Sequence, residues 1–253
     1  EVHAVVALQG GAFAMVGSNS SDAKQGSDVW LLVVDATGKQ LNSKLINKGE
    51  YDQGHCAAAL ADGGLLLGGV VSNNGNPDLW VGRADADGNV LWQDLVTGNQ
   101  SETAWGVAAW ADGSFAVAGE SSSSNSGALG GVDGWLLRYD SFGNRIWNKK
   151  FGSNGNEWFK AVAALPDRGL WVGGQLWQNG GLDGWALRLG PWGHSSCSSA
   201  GACKNLDFAA CDDGQPCTAD PCDAAAGCEH PPLPDASVCG DGAQCGAGQC
   251  VGG

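Results

Sequence analysis

The sequence predicts an all-β protein: a four-bladed β-propeller whose last blade lacks its outer strand, followed by a disulfide-rich irregular tail. Three observations carry this expectation. The triplet Asp-x-Trp occurs at Asp28/Trp30, Asp78/Trp80, Asp133/Trp135 and Asp183/Trp185, with Trp-to-Trp intervals of 50, 55 and 50. Short apolar runs alternate with Gly turns, and 42 Gly against 16% charged residues exclude a helical bundle, which rejects interior Gly at ~1 kcal/mol each. Nine of the ten Cys lie between Cys197 and Cys250.

Each repeat reads as four short strands. An Ala/Val run comes first, ending at Leu8, Leu60, Trp110 or Leu165. A turn follows at Gly10-Gly11, Asp62-Gly63, Asp112-Gly113 or Asp167-Arg168-Gly169, then a second apolar run. Gly supplies the positive φ that tight hairpins demand. The Asp-x-Trp triplet opens the third run, and in three repeats an acidic-to-Gly turn leads to a fourth (Asp35…Gly38, Asp85…Gly88, Asp140…Gly143). In the third repeat the strands are expected near 104–110, 114–120, 133–140 and 144–151. A four-stranded unit at this period is a propeller signature, with a β-solenoid as the competing reading. The predicted blades are 1–50, 51–101, 102–156 and 157–189, with the Cys-rich module at 190–253.

In the fourth repeat Gly190-Pro191-Trp192-Gly193-His194 follows the third run, and Pro and Gly there argue against a full outer strand. An open edge is a template for strand addition. Three outcomes remain: the tail covers the edge, a second chain donates a strand and so builds a homopolymer, or the chain belongs to a longer protein.

The net charge of −14 argues against nucleic acid or an anionic membrane as the main partner, and no apolar run reaches the ~18 residues of a membrane helix. No basic and apolar leader opens the sequence, so any signal peptide is expected to lie outside it or to have been removed. The tail spacings contain no Cys-x2-Cys knuckle, which favours disulfides over zinc and hence a secreted protein at a cell surface or in a matrix. The expected disulfide set is Cys56, Cys197, Cys203, Cys211, Cys217, Cys222, Cys228, Cys239, Cys245 and Cys250. Their pairing is open, with Cys56 a partner for an odd tail Cys.

Counting back five from the strand ends aligns His3, His55, Trp105 and Lys160. These four are the candidate ligand-binding ring at a channel mouth, with rim residues facing solvent as the bland reading. Three places further back, Asp52, Glu102 and Glu157 align, a set able to bind Ca²⁺ through oxygen or to tether loops. No other cofactor is expected. Asp28, Asp78, Asp133 and Asp183 read as structural turn formers, and Trp30, Trp80, Trp135 and Trp185 as inter-blade packing. Trp177, on a Gly-rich loop, is a candidate for stacking on a sugar. No G-x-S-x-G, H-E-x-x-H or P-loop motif occurs, so no catalytic residue is nominated and a non-enzyme is expected.

Two segments resemble known families. Asp85-Ala-Asp-Gly-Asn-Val-Leu-Trp92 and Asp140-Ser-Phe-Gly-Asn-Arg-Ile-Trp147 resemble the Trp-docking turn of quinoprotein-like propellers, an architecture covering residues 1–189. The resemblance implies that Trp92 and Trp147 pack across the neighbouring blade. Repeat one departs from it, with Asn42 in the Trp position, and repeat four lacks the segment. The quinone-binding residues of the enzymatic members are not recognisable, so a dehydrogenase is not implied. Residues 211–230 (Cys211-Asp-Asp-Gly-Gln-Pro-Cys217-Thr-Ala-Asp-Pro-Cys222 to Cys228-Glu-His230) resemble the Cys-rich repeat of secreted bacterial and protist surface proteins. That resemblance implies an extracellular structural or adhesive module. The expected function is a secreted structural or surface-assembly protein, polymerising through the open edge and the tail. An adhesin for a surface glycan or protein is the alternative, and a propeller enzyme the third reading.

Overall fold

A computed structural model describes residues 1–20, 26–46, 50–73, 75–124, 129–178 and 180–193, together with the backbone of five short tail strands. The protein is all-β. The first sheet comprises β1 (Val2–Ala7), β2 (Phe13–Asn19), β3 (Asp28–Val34) and β4 (Gln40–Ile46). The second holds β5 (Tyr51–Ala59), β6 (Leu65–Asn73), β7 (Asn76–Ala84) and β8 (Val90–Val96). The third holds β9 (Glu102–Ala109), β10 (Phe115–Ser121), β11 (Asp133–Tyr139) and β12 (Arg145–Phe151). The fourth, among the described residues, holds three strands: β13 (Asn156–Ala164), β14 (Leu170–Gln178) and β15 (Gly181–Leu189). Within each sheet, strands adjacent in sequence pair antiparallel. In the tail, β16 (Cys222–Asp223) pairs with β17 (Gly227–Cys228), and β18 (Val238–Gly240), β19 (Ala243–Gly246) and β20 (Gln249–Val251) form a small sheet.

The four sheets stack in chain order, and apolar residues fill each gap. Val16, Val29 and Leu31 of the first sheet meet Leu65, Leu67 and Trp80 of the second. Leu66, Leu79 and Val81 of the second meet Phe115, Trp135, Leu137 and Tyr139 of the third. Ala116, Ala118 and Leu136 of the third meet Phe159, Leu170 and Val172 of the fourth. Alternate residues of each middle strand therefore serve opposite neighbours, as the two-residue period of a strand requires. Among the described residues, no comparably extensive contact joins the fourth sheet to the first. Both keep apolar residues exposed on their outward faces, so the described residues form an open run of sheets where closure into a four-membered ring was expected.

A β-bulge recurs in every inner strand. Pairing skips His3 between Val2 and Ala4, His55 between Gly54 and Cys56, Trp105 between Ala104 and Gly106, and Lys160 between Phe159 and Ala161. Each bulge lies against a Gly of the middle strand: Gly17, Gly69, Gly119 or Gly174. A Cβ on these would lie 1.9, 1.9, 1.9 and 1.8 Å from the carbonyl oxygens of Glu1, Gln53, Thr103 and Trp158. No side chain fits there, which explains a Gly at the same place in four otherwise diverged strands.

The turns between third and fourth strands dock the sheets together. Gly88, Gly143 and Gly193 all have positive φ. The Trp92 ring packs on Gly143, and the Trp147 ring packs on Gly193 while its Nε1 donates to the Pro191 carbonyl at 3.1 Å. In the first sheet Asn42 replaces the Trp, and its side chain bonds the Asp87 carbonyl of the Gly88 turn. Residues 190–193 form the same hydrogen-bonded turn as 140–143, closed by the Gly193 N–H on Gly190 O at 3.0 Å. The fourth repeat therefore keeps a turn that the sequence reading took as missing: Pro191 sits in the turn and not in a strand.

Gly119→Ala is expected to cost ~2 kcal/mol or more, because strand β9 must shift to admit the methyl. Gly181→Ala, with no atom within 4 Å of its Cβ position, is expected to stay within about 0.5 kcal/mol. Urea unfolding of the two variants checks the contrast, and equal effects would refute the close-approach argument.

Candidate functional site

The bulges determine where the ring residues point, because an extra residue in one strand re-aims its side chain. The four aligned residues come together as a continuous file across the sheets. The His3 and His55 rings are 5.4 Å apart. His55 stacks on Trp105 at 4.3 Å with planes 7° apart. The Lys160 Nζ sits 3.7 Å from the Trp105 ring centroid. The bulge that makes these residues neighbours has no marker in a single strand's sequence.

Their polar atoms are engaged mainly with the protein. His3 Nδ1 is 3.0 Å from the Gly54 carbonyl of the second sheet, and His55 Nδ1 is 3.2 Å from the equivalent Ala104 carbonyl of the third. Trp105 Nε1 donates to Glu120 at 2.7 Å, and Lys160 donates to the same carboxylate at 3.0 Å. His3 Nε2 lies 3.4 Å from the Glu1 carboxylate. Burial pushes the His55 imidazole down to about 4, so it is neutral at physiological pH. Lys160 is the cation of the file, and Glu120 already faces it. The arrangement laces each sheet to the next, and the side chains contributed by the second and fourth sheets flank Trp105.

The aligned carboxylates stay apart. Asp52, Glu102 and Glu157 are buried in three successive sheets. Glu157 accepts the Ser153 N–H at 3.0 Å and the Ser153 hydroxyl at 2.6 Å, and Glu102 accepts the Ser121 hydroxyl at 2.9 Å. The Asp52 backbone exchanges hydrogen bonds with Ser27. Among the described residues no three His, Cys, Asp or Glu side chains converge as metal ligands. Glu157 thus binds the loop of its own sheet, and Glu102 binds a hydroxyl of its own sheet.

Two of the Asp-x-Trp acids, Asp78 and Asp133, sit at these same interfaces. Gly98 lies against the Glu102 carboxylate, and its N–H bonds Asp78. Gly152 lies between Asp133 and Glu157. Asp133 also accepts the Leu129 N–H at 2.9 Å. Burial raises Asp78 and Glu102 above the usual carboxylate range, and the Asp78 charge adds to the rise at Glu102.

Trp80, Trp135 and Trp185 each pack against the preceding sheet, whereas Trp30 lies on the outward face of the first sheet. Trp80 and Trp135 are buried, and their Nε1 atoms donate to Gln93 and Asn148 at 3.3 and 3.2 Å. Trp30 donates to Ser43 at 2.9 Å, and Trp185 stacks on Phe159 at 5.0 Å. Trp177 is exposed. Cys56 is a buried free thiol in the core between the second and third sheets, beside Gly68 and Ala104, and burial pushes it up to about 12. A bond from it to the tail would have to pass through that packing. The side chains of the nine tail cysteines lie outside the described residues.

No family model and no curated protein sequence matches the chain. Among solved structures it is similar to Kuenenia stuttgartiensis hydrazine synthase, with a TM-score of 0.50 and 13% identity over 68% of this chain and 51% of that one. It also matches a putative glycoside hydrolase from Parabacteroides distasonis ATCC 8503, with a TM-score of 0.41 and 10% identity over 75% of this chain and 69% of that one. The chain thus spans about half of the hydrazine synthase chain it matches. At such identity the likeness concerns the fold alone, an array of antiparallel sheets.

Glu102→Gln is expected to stabilise the protein at pH 7 by about 1 kcal/mol, since the amide keeps an acceptor for Ser121 and removes a buried charge. A carboxyl raised by folding contributes stability below its unfolded range, and that contribution is lost as pH rises through the folded value. The gain should therefore shrink as pH falls from 7 towards 4. Thermal melts of both proteins across that range check it, and a variant that is destabilised at pH 7 would refute it.

Proposed function

We propose that the four sheets are blades of an open propeller-type arc, and that the protein is a secreted, non-catalytic structural or surface-assembly component. The observation that carries this reading is the run of sheets itself. Three interfaces are apolar and laced, while the two end sheets keep the corresponding apolar faces exposed. Large exposed apolar surfaces on a folded protein mark contact sites. The aligned His, Trp and Lys side chains support the same reading, because their polar atoms and ring faces are spent on holding sheets together.

The docking of Trp92 and Trp147 on the next sheet's Gly turn supports blades of the quinoprotein-like, Trp-docking type. The density of cysteines after residue 196 supports an oxidising, extracellular setting and a disulfide-stapled module over 190–253, in the manner of Cys-rich surface repeats. Strand addition at the β15 edge is a further route to a homopolymer. A second reading, an adhesin for a surface glycan or protein, rests on the exposed indole of Trp177 at the end of β14.

The full chain, produced under oxidising conditions, is expected to sediment as species larger than one chain, with a share that grows with concentration. A single-chain species at every concentration would overturn the assembly reading. Binding to a glycan array that is lost in Trp177→Ala would instead favour the adhesin.

A further inference from the structure

We infer that the outward face of the fourth sheet docks on the outward face of the first sheet of a second copy, head to tail, by repeating the interface already present inside the chain. This deepens the assembly reading and rests on it. The repeats align residue by residue through their hydrogen-bond registers: Ala7–Phe13, Ala59–Leu65, Ala109–Phe115 and Ala164–Leu170 are equivalent pairs. Each position can therefore be compared with and without a neighbouring sheet.

The first sheet presents the face that the other sheets turn towards the preceding one. Phe13 is 39% exposed, whereas its equivalents Leu65, Phe115 and Leu170 are 0%, 2% and 0% exposed. Val5 is 59% exposed against 8% for Val107. Met15 and Leu32 lie on the same face, and Trp30 is less buried than Trp80 or Trp135. The Gly38 turn is open, with nothing within 4 Å of its Cβ position. Its equivalents Gly88, Gly143 and Gly193 are each covered by side chains from the preceding sheet.

The fourth sheet presents the opposite face, the one that the other sheets turn towards the following one. Trp171 is 47% exposed, although its equivalents Ala14, Leu66 and Ala116 are 1%, 0% and 0% exposed. Ala161, Ala163 and Ala186 beside it are exposed, and so is Asp183, whose equivalents Asp78 and Asp133 are buried at an interface.

A second copy fits because each copy carries one face of each kind, and the three internal interfaces show that these two kinds of face pack together. The inner file would continue across the junction, bringing Lys160 of one copy to the exposed acid Glu1 and to His3 of the next. The contact is heterologous, so it gives a polar ring or filament and not a symmetric face-to-face pair.

The test uses the full chain in three forms: wild type, Val5→Asp on the first-sheet face, and Trp171→Asp on the fourth. Both positions are already exposed, and matching circular dichroism and melting temperature confirm folding. Phe13→Asp serves as a second first-sheet variant. Each variant alone is expected to lose the large species and sediment as one chain. An equimolar mixture of Val5→Asp and Trp171→Asp retains one intact face of each kind and is expected to give a 1:1 dimer and nothing larger. Assembly that persists in both variants would overturn the face proposal while leaving assembly through the β15 edge or the tail. Loss of assembly without rescue in the mixture would overturn the head-to-tail arrangement. A wild type that stays a single chain at all concentrations would overturn this proposal and the assembly reading together.

Discussion

The structure depends on how closely one carbonyl oxygen approaches the opposing strand in each sheet. At Glu1, Gln53, Thr103 and Trp158 the oxygen comes so near the middle strand that only Gly fits opposite. The next residue but one is then squeezed out of register as a bulge and turns its side chain along the inner edge. From this follow the acceptors at Gly54 O and Ala104 O, the stacking of His55 on Trp105 and the seat of Lys160 over that ring. One steric constraint, repeated, sets both the packing of a sheet and its attachment to the next. It also explains why chemically unrelated residues share the position. The site selects side chains that can reach across a bulge and satisfy a neighbour, and imidazole, indole and ammonium all do so.

Much of this was legible in the sequence, for identifiable reasons. The Asp-x-Trp intervals report a real repeat because Trp80, Trp135 and Trp185 fill equivalent inter-sheet gaps, where a smaller side chain would leave a void. The aligned residues at the inner edge were found because hairpin lengths are conserved between the inner strands and their turns. What the sequence hid is relational. Asp52, Glu102 and Glu157 align perfectly along the chain and yet serve three separate interfaces, because translation along a repeat moves a residue to the next sheet and not to a common centre. The turn at 190–193 was misread because Pro191 and Gly190 argue against a strand, while the Gly193 φ of 70° that identifies a turn is a property of the backbone alone. The open ends were hidden for the same reason: Phe13 and Leu65 are the same kind of residue in the same kind of strand, and only the presence of a neighbour separates them.

The exposed ends are set against the charge of the chain. Its charge is −14, and half of that lies beyond residue 189, where eight acids face one Lys. The sheets themselves carry the other half. Charge of one sign suppresses indiscriminate association, and an apolar face of fixed relief rewards one register only. An unpaired strand edge has no such discrimination, because backbone donors and acceptors accept any strand. The faces do discriminate: a large side chain such as Trp171 or Phe13 is covered only by a partner surface of matching relief. In the proposed assembly, contact through faces would inherit the specificity of the internal interfaces, whereas contact through an edge would inherit none, which is why the proposal places order and direction on the faces.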